Sequence, residues 1–334
     1  TSADSRAQLP HASFKTGGAK EGKEKALRGG AAIPGAAYVR MSYRNTETWF
    51  ARLAASAEPP NAQQMAVLKA VRDRCAQEAT EQFGRGRQPT TSEPLRGCVL
   101  GVPGSGKSET IKWLQRFFVE CLGWEHGVQF QCLAPQNTMA ALIAGTTVHS
   151  WGDVPINYTT AVELANRRRG HDQIDGLFIR AGSMRWLILD EISGVALLTL
   201  GVLESNLRRV CRGSHPYARR ADKSLRPFGG LNILCFGDWW QLPPVKAPAI
   251  FSNPFAKVYD AAEQRVLSMF WRRDADSFAR VFELTRAYRF DRDPWLEQVL
   301  TQHRHGQEEW ETYCFVHGLP TANPRSWRSA IGAP

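Results

Sequence analysis

From Asn61 to Arg289 the chain alternates short unbroken apolar runs with stretches in which apolar residues recur every three or four positions. An apolar run of four to six residues suits a strand buried on both faces, and the longer spacing marks one face of a helix. The alternation therefore predicts an α/β fold with a mostly parallel sheet flanked by crossover helices. Strands are expected at 98–101, 128–133, 186–190, 233–237 and 280–284. Ile111, Leu114, Phe118 and Cys121 stripe the clearest helix, and Gly123 is placed to end it, since glycine accepts the left-handed conformation of a helix terminus. Residues 1–37 are rich in Gly, Ala and Lys, with few large apolar side chains to offset the entropy of ordering, and predict a flexible basic leader. In 38–60, Trp49, Phe50 and Leu53 keep helical spacing until Glu58-Pro59-Pro60 interrupts it, a short helix followed by a proline linker. The compact domain is expected at 61–290. The pattern thins in 291–334, which reads as the start of a second domain, or a tail, cut short; the start at Thr1 rather than Met likewise suggests a fragment or a processed product.

Composition sharpens this reading. Of the 334 residues 43% are hydrophobic, enough for a substantial core, which excludes wholesale disorder. The longest apolar runs, 186–189 and 195–200, fall far short of the roughly 18 residues of a membrane-spanning helix, so no membrane partner is expected. Forty-two basic against 32 acidic residues give a net charge of +10, which favours a polyanionic partner, nucleic acid first. Seven basic residues fall between Ser205 and Phe228 (Arg208, Arg209, Arg212, Arg219, Arg220, Lys223, Arg226) against Asp222 alone, a candidate phosphate-contacting loop. The seven cysteines form no C-x-x-C pair and lie mostly in apolar stretches, as reduced core thiols of an intracellular protein do.

The sharpest chemical signal is Gly101-Val102-Pro103-Gly104-Ser105-Gly106-Lys107-Ser108, a complete G-x-x-x-x-G-K-[ST] pattern between an expected strand and an expected helix. Such glycines let the backbone curl until its N–H groups and the helix N-terminus face phosphate; Lys107 offsets phosphate charge and Ser108 can ligate Mg²⁺. The apolar run 186–189 delivers Asp190 and Glu191 at a strand end, the edge where open α/β sheets bind ligands. Asp190 suits the metal, and Glu191 the attacking water. A third strand ends in Gly237-Asp238-Trp239-Trp240-Gln241-Leu242-Pro243-Pro244-Val245, where the proline pair would hold the Gln241 amide at the same edge, placed to sense a γ-phosphate. The two tryptophans are expected to pack rather than stack on bases.

These segments, with Phe228-Gly229-Gly230 and with Glu283-Leu284-Thr285 followed by Tyr288-Arg289, occur in the order and spacing of the Pif-type DNA helicases, and the stretch from about 61 to 305 resembles that family, in the RecD-like branch of helicase superfamily one. The resemblance implies a RecA-like P-loop domain, the first of two motor domains, using ATP and Mg²⁺ on single-stranded or forked duplex DNA with 5′-to-3′ polarity, in repair, recombination or telomere maintenance. It implies that Gln64, beside Asn61, reads adenine. Gly104, Ser105, Gly106, Lys107, Ser108 and Glu109 would hold the nucleotide, with Ser108 and Asp190 on the metal. Lys107, Glu191, Gln241 and Arg289 would serve catalysis, Arg289 by contacting the γ-phosphate. In the stretch from Ala134-Pro135 to Ser150, Thr147 and His149 would meet the DNA backbone. The chain departs from the family pattern at Gln136-Asn137, where Thr-Gly is usual, and at Phe290, where a glutamine is usual. The expected compartment is the nucleus, then the mitochondrion; oligomeric state stays open. Two alternatives are a truncated ATP- and DNA-binding module that does not unwind, and a small-molecule P-loop phosphotransferase.

Overall fold

The computed structural model describes residues 43–82, 92–156, 175–213, 215–255, 259–291 and 293–318. The expected basic leader, 1–37, lies outside them. Six strands form one sheet, every pairing parallel, in the order β3-β2-β4-β5-β1-β6. They are β1 (Arg96–Gly101), β2 (Phe130–Ala134), β3 (Thr146–Thr147), β4 (Trp186–Leu189), β5 (Asn232–Gly237) and β6 (Arg280–Leu284). Five match the apolar runs to within two residues. The two-residue β3 carries no apolar signal, and only its pairing with Leu133 and Ala134 makes it a strand.

Successive strand residues point to opposite faces, so an unbroken apolar run feeds two cores at once. In β4, Trp186 and Ile188 join the core beneath α1 (Tyr43–Ala54), α2 (Ala62–Gln82) and α3 (Lys107–Leu122). Leu187 and Leu189 join the other, built on α7 (Leu197–Cys211) and α8 (Ala261–Trp271). Short helices α4 (Asn137–Leu142), α5 (Val148–Gly152) and α6 (Asp175–Ala181) complete the middle, and α9 (Pro294–His305) and α10 (Trp310–Val316) follow β6. Gly123 does end α3, at φ 65°. The helix expected ahead of the domain is part of its core: Trp49 and Leu53 are buried, and the Trp49 indole N–H donates to Glu120 at 2.6 Å. All seven cysteines are buried and unpaired. Among the described residues no helix is long and apolar enough to cross a membrane.

The amino-terminal edge of the sheet is closed by buried charge. Glu78 of α2 accepts from Arg185 Nε (3.1 Å), Arg74 Nε (3.1 Å) and Asn232 Nδ2 (2.8 Å), and neither it nor Arg185 is exposed. Beside it Glu93 pairs with Arg220 (2.6 Å), Arg226 (3.0 Å) and Arg96 (3.2 Å). The basic run therefore has a structural share: Arg226 is 1% exposed and, like Arg220, engaged by Glu93, while Arg212, Arg219 and Lys223 remain on the surface. Phe228-Gly229-Gly230 turns in left-handed conformations tight against α7, where a Cβ on Gly229 would stand 2.7 Å from the Leu207 carbonyl.

Candidate active site

The phosphate-binding loop follows β1 directly. Gly104 and Gly106 take φ 80° and 81°, and the loop closes with the Ser105 N–H donating to the Val102 carbonyl at 3.1 Å. Gly106 caps α3 without a side chain, so no capping side chain competes for the first-turn N–H groups, which lack intrahelical acceptors and face the loop at the positive end of the helix dipole. Lys107 is 8% exposed, its ammonium donating to the carbonyls of Gly101 (2.7 Å) and Val102 (3.2 Å). Burial holds that ammonium below the ordinary lysine value, against the pull of Glu191, Asp238 and Asp190. The Ser105 hydroxyl is buried without a hydrogen-bond partner. An orphaned hydroxyl, unpaired helix N–H groups and an ammonium satisfied only by carbonyls form a donor set that fits a polyphosphate.

Because β5 pairs with β1 and β4 with β5, the carboxyl ends of all three lie along one edge with this loop. Asp190 is 5% exposed and accepts the Glu191 N–H at 3.0 Å. Burial, and then the neighbouring Glu191 charge, push its carboxyl up to about 6. Glu191 itself sits at φ 50°, ψ 46°, a left-handed conformation costing a non-glycine residue roughly 1–2 kcal/mol, and such strain collects at functional positions. At the end of β5 the Asp238 carbonyl accepts the Gln241 N–H at 3.1 Å, folding the turn that presents the half-buried Gln241. Of the two tryptophans, Trp239 packs against Phe251 and Phe270 as expected, whereas Trp240 is 66% exposed.

After β6 a short 3₁₀ turn, Tyr288–Phe290, leans on the loop: the Tyr288 N–H donates to the Gly104 carbonyl at 3.0 Å, and a Cβ on Gly104 would stand 2.5 Å from that of Arg289. The Arg289 side chain is exposed. Gln64 lies beneath the loop, 2% exposed, with Nε2 donating to the Ser105 carbonyl (3.3 Å) and Oε1 accepting the Asn61 N–H (2.9 Å). Ser108 is exposed in the first turn of α3, and Glu109 pairs with Lys112 at 3.1 Å along the helix surface.

Thr147 and His149 stand apart. Thr147 caps α5 by accepting the Ser150 N–H at 3.2 Å, and His149 Nδ1 meets the Val154 carbonyl at 3.1 Å. Three strands separate β3 from β1, about 19 Å at the usual strand spacing. Two further contacts tie distant segments to the site, one from Asn61 of the expected adenine-reading pair and one from Arg304, which carries no sequence signal as a site residue. Asn61 donates to the Tyr288 hydroxyl at 2.8 Å, tying α2 to the 3₁₀ turn. Arg304, which reads as a cation in the last turn of a helix, reaches the β5 edge and grips Asp238 with two hydrogen bonds of 2.5 Å.

Comparison with known proteins agrees with this geometry. The chain is 30% identical over 145 residues to the ATP-dependent DNA helicase RRM3 of Saccharomyces cerevisiae, and 33% identical over 150 residues to the ATP-dependent DNA helicase PIF1 of Danio rerio. Each match takes in 43% of this chain but only 18% and 19% of the respective relative, so the chain spans a small part of those proteins. The crystal structure of Pif1 helicase from Candida albicans superposes with a TM-score of 0.50 at 20% identity, covering 81% of this chain and 50% of that one, and so shares the fold. The family model described as PIF1-like helicase matches residues 99–294, more than half of the chain, and takes in the loop, the Asp190-Glu191 edge and the Gln241 turn together: the chain belongs to the PIF1-like helicase family.

Proposed function

We propose that this chain is the first motor domain of an ATP-dependent DNA helicase that moves 5′ to 3′ along a single strand. The observation that supports the reading is that the carboxylates of Asp190, Glu191 and Asp238, at the ends of β4 and β5, act on the buried Lys107 ammonium of the loop after β1, with Gln241 in the turn that follows Asp238. In this reading the main-chain N–H groups of 104–108 and the Ser105 hydroxyl bind the β- and γ-phosphates, and Lys107 moves from its carbonyls to phosphate oxygen. Glu191 orients and deprotonates the attacking water, Gln241 senses the γ-phosphate, and Arg289 swings from the surface to stabilise charge on the transferring group, a contact worth roughly 10³-fold or more in rate. Gln64 exchanges one of its main-chain partners for the adenine edge.

Among the described residues no cluster of three or more His, Cys, Asp or Glu could hold a metal by protein ligands alone. The exposed Ser108 hydroxyl and the buried Asp190 carboxylate would hold magnesium, Ser108 directly and Asp190 through water. When bound, the ion would neutralise charge on the β- and γ-phosphates. Thr147 and His149, on the far side of the same edge, contact the DNA backbone. Such an enzyme works inside the cell, on nuclear or mitochondrial DNA, in repair, recombination or telomere maintenance.

Steady-state ATP hydrolysis with and without single-stranded DNA tests this. Turnover is expected to rise with DNA and to fall at least 100-fold in Lys107→Ala; turnover indifferent to both would refute the reading. A labelled forked duplex assayed in parallel separates unwinding from binding alone.

A further inference from the structure

The Asp238 carboxylate is only 1% exposed, yet it lies at the working edge of the sheet. Its Oδ1 accepts the Trp240 N–H at 3.1 Å and Arg304 Nη2 at 2.5 Å, while Oδ2 accepts Arg304 Nη1 at 2.5 Å. The same guanidinium lies 5.7 Å from the Trp240 ring centre, and His305 meets that ring edge-on at 5.9 Å. One side chain thus holds the first and third residues of the four-residue turn that ends in Gln241. A planar, forked guanidinium suits this double grip, since it bonds a carboxylate through two parallel N–H groups and lies flat on an indole.

Arg304 belongs to α9, and the segment leading into α9 leans on the phosphate-binding loop through Tyr288 and Gly104. The stretch from Tyr288 to Arg304 therefore touches both sides of the nucleotide edge. Charge balance follows from the same contact. Asp238 is one of three carboxylates acting on Lys107, and both its oxygens already accept from Arg304, while the Lys107 ammonium donates to carbonyls that phosphate can displace.

We propose that Arg304 is a positioning residue: through its fork on Asp238 and its seat on Trp240 it sets the turn that presents Gln241 to the terminal phosphate, and so links α9 to the presence of that phosphate. The inference rests on the nucleotide-site reading above and deepens it. The test is the ratio of affinities for fluorescently labelled ATP and ADP, measured with the full 334-residue chain for the parent, Gln241→Ala, Arg304→Gln, Arg304→Lys and the double variant Gln241→Ala/Arg304→Gln. The parent should prefer ATP. Arg304→Gln should lose most of that preference, about 10-fold, with ADP affinity changed less than 3-fold, and the double variant should be no worse than Gln241→Ala alone, because residues acting through one another are not additive. Arg304→Lys, a cation without the fork, should restore little. Should the Arg304→Gln fold be compromised, Asp238→Asn/Arg304→Gln replaces the ion pair by two amides that can bond each other, and the same lost preference is expected. Nucleotide binding with an undiminished ATP preference in Arg304→Gln, or losses that simply add to those of Gln241→Ala, would overturn this inference alone. A parent that binds neither nucleotide would overturn the site reading and this inference with it.

Discussion

Replacing Glu78 by glutamine should cost this protein more stability than any surface change, although the two side chains have nearly the same shape. Glu78 is fully buried and faces two guanidinium groups, Arg185 with Nη2 at 2.5 Å and Arg74 with Nη2 at 3.0 Å, themselves 0% and 4% exposed. Burial alone would raise its carboxyl, but the two arginine charges outweigh that and hold it below the ordinary glutamate value. The amide would keep the size and part of the hydrogen bonding while leaving two positive charges in a dry site with no counter-charge. Breaking a buried ion pair from one side costs about 3–5 kcal/mol. Urea unfolding at neutral pH should show the loss as a lower midpoint with an unchanged slope, and Arg185→Met in the Glu78→Gln background should recover part of it by removing one stranded charge. A deficit below about 1 kcal/mol, or a double variant no better than the single one, would refute the reasoning. The lesion should also reach the active edge. Arg185 leads into β4 and Asn232 begins β5, the strands that deliver Asp190 and Asp238, so ATP turnover should fall in Glu78→Gln although no substituted atom lies at that edge.

Further outcomes follow from the same contacts. For Glu93, 30% exposed, burial opposes ionisation, but hydrogen bonds from Arg220 and Arg226 bring its carboxyl from 4.5 to about 2. A depressed carboxyl stabilises the fold above about pH 4.5 and loses that contribution as pH falls toward 2, so Glu93→Gln should cost roughly 2 kcal/mol at neutral pH after allowance for solvent screening. A urea-unfolding deficit that stays constant across that window would count against the ion-pair account. Gly104→Ala should weaken ATP binding at least 10-fold in a fluorescence titration, since its φ of 80° and the 2.5 Å approach to the Arg289 Cβ leave no room for a methyl group; near-parental affinity would show that the 288–290 turn yields easily. Glu191→Gln should retain nucleotide binding while hydrolysis drops 100-fold or more, the split expected of a group acting on water. Single-strand affinity should fall with salt at a log–log slope of about −3.5 if some five phosphates are met, and a slope near zero would remove the electrostatic part of DNA binding.

The sequence by itself determined where five of the six strands run and which polar residues follow their ends. A strand buried on both faces must be apolar at every position, so 186–189 and 233–236 declare themselves without help, and a loop that curls around phosphate needs its glycines at fixed spacing. Local rules of this kind depend on neighbours along the chain and can be read there. Only the tertiary structure decided which distant residues meet. It made Thr146 and Thr147 a strand by pairing them with β2, and it drew α1 into the core through Trp49 and Leu53. It turned Arg226 from an apparent surface cation into a buried partner of Glu93, and carried Arg304 from the end of a helix to Asp238. A charged side chain has the same sequence signature whether it faces water or a buried carboxylate; what separates the two is the dielectric around it and the partner that packing brings within reach, and neither is a property of the local chain.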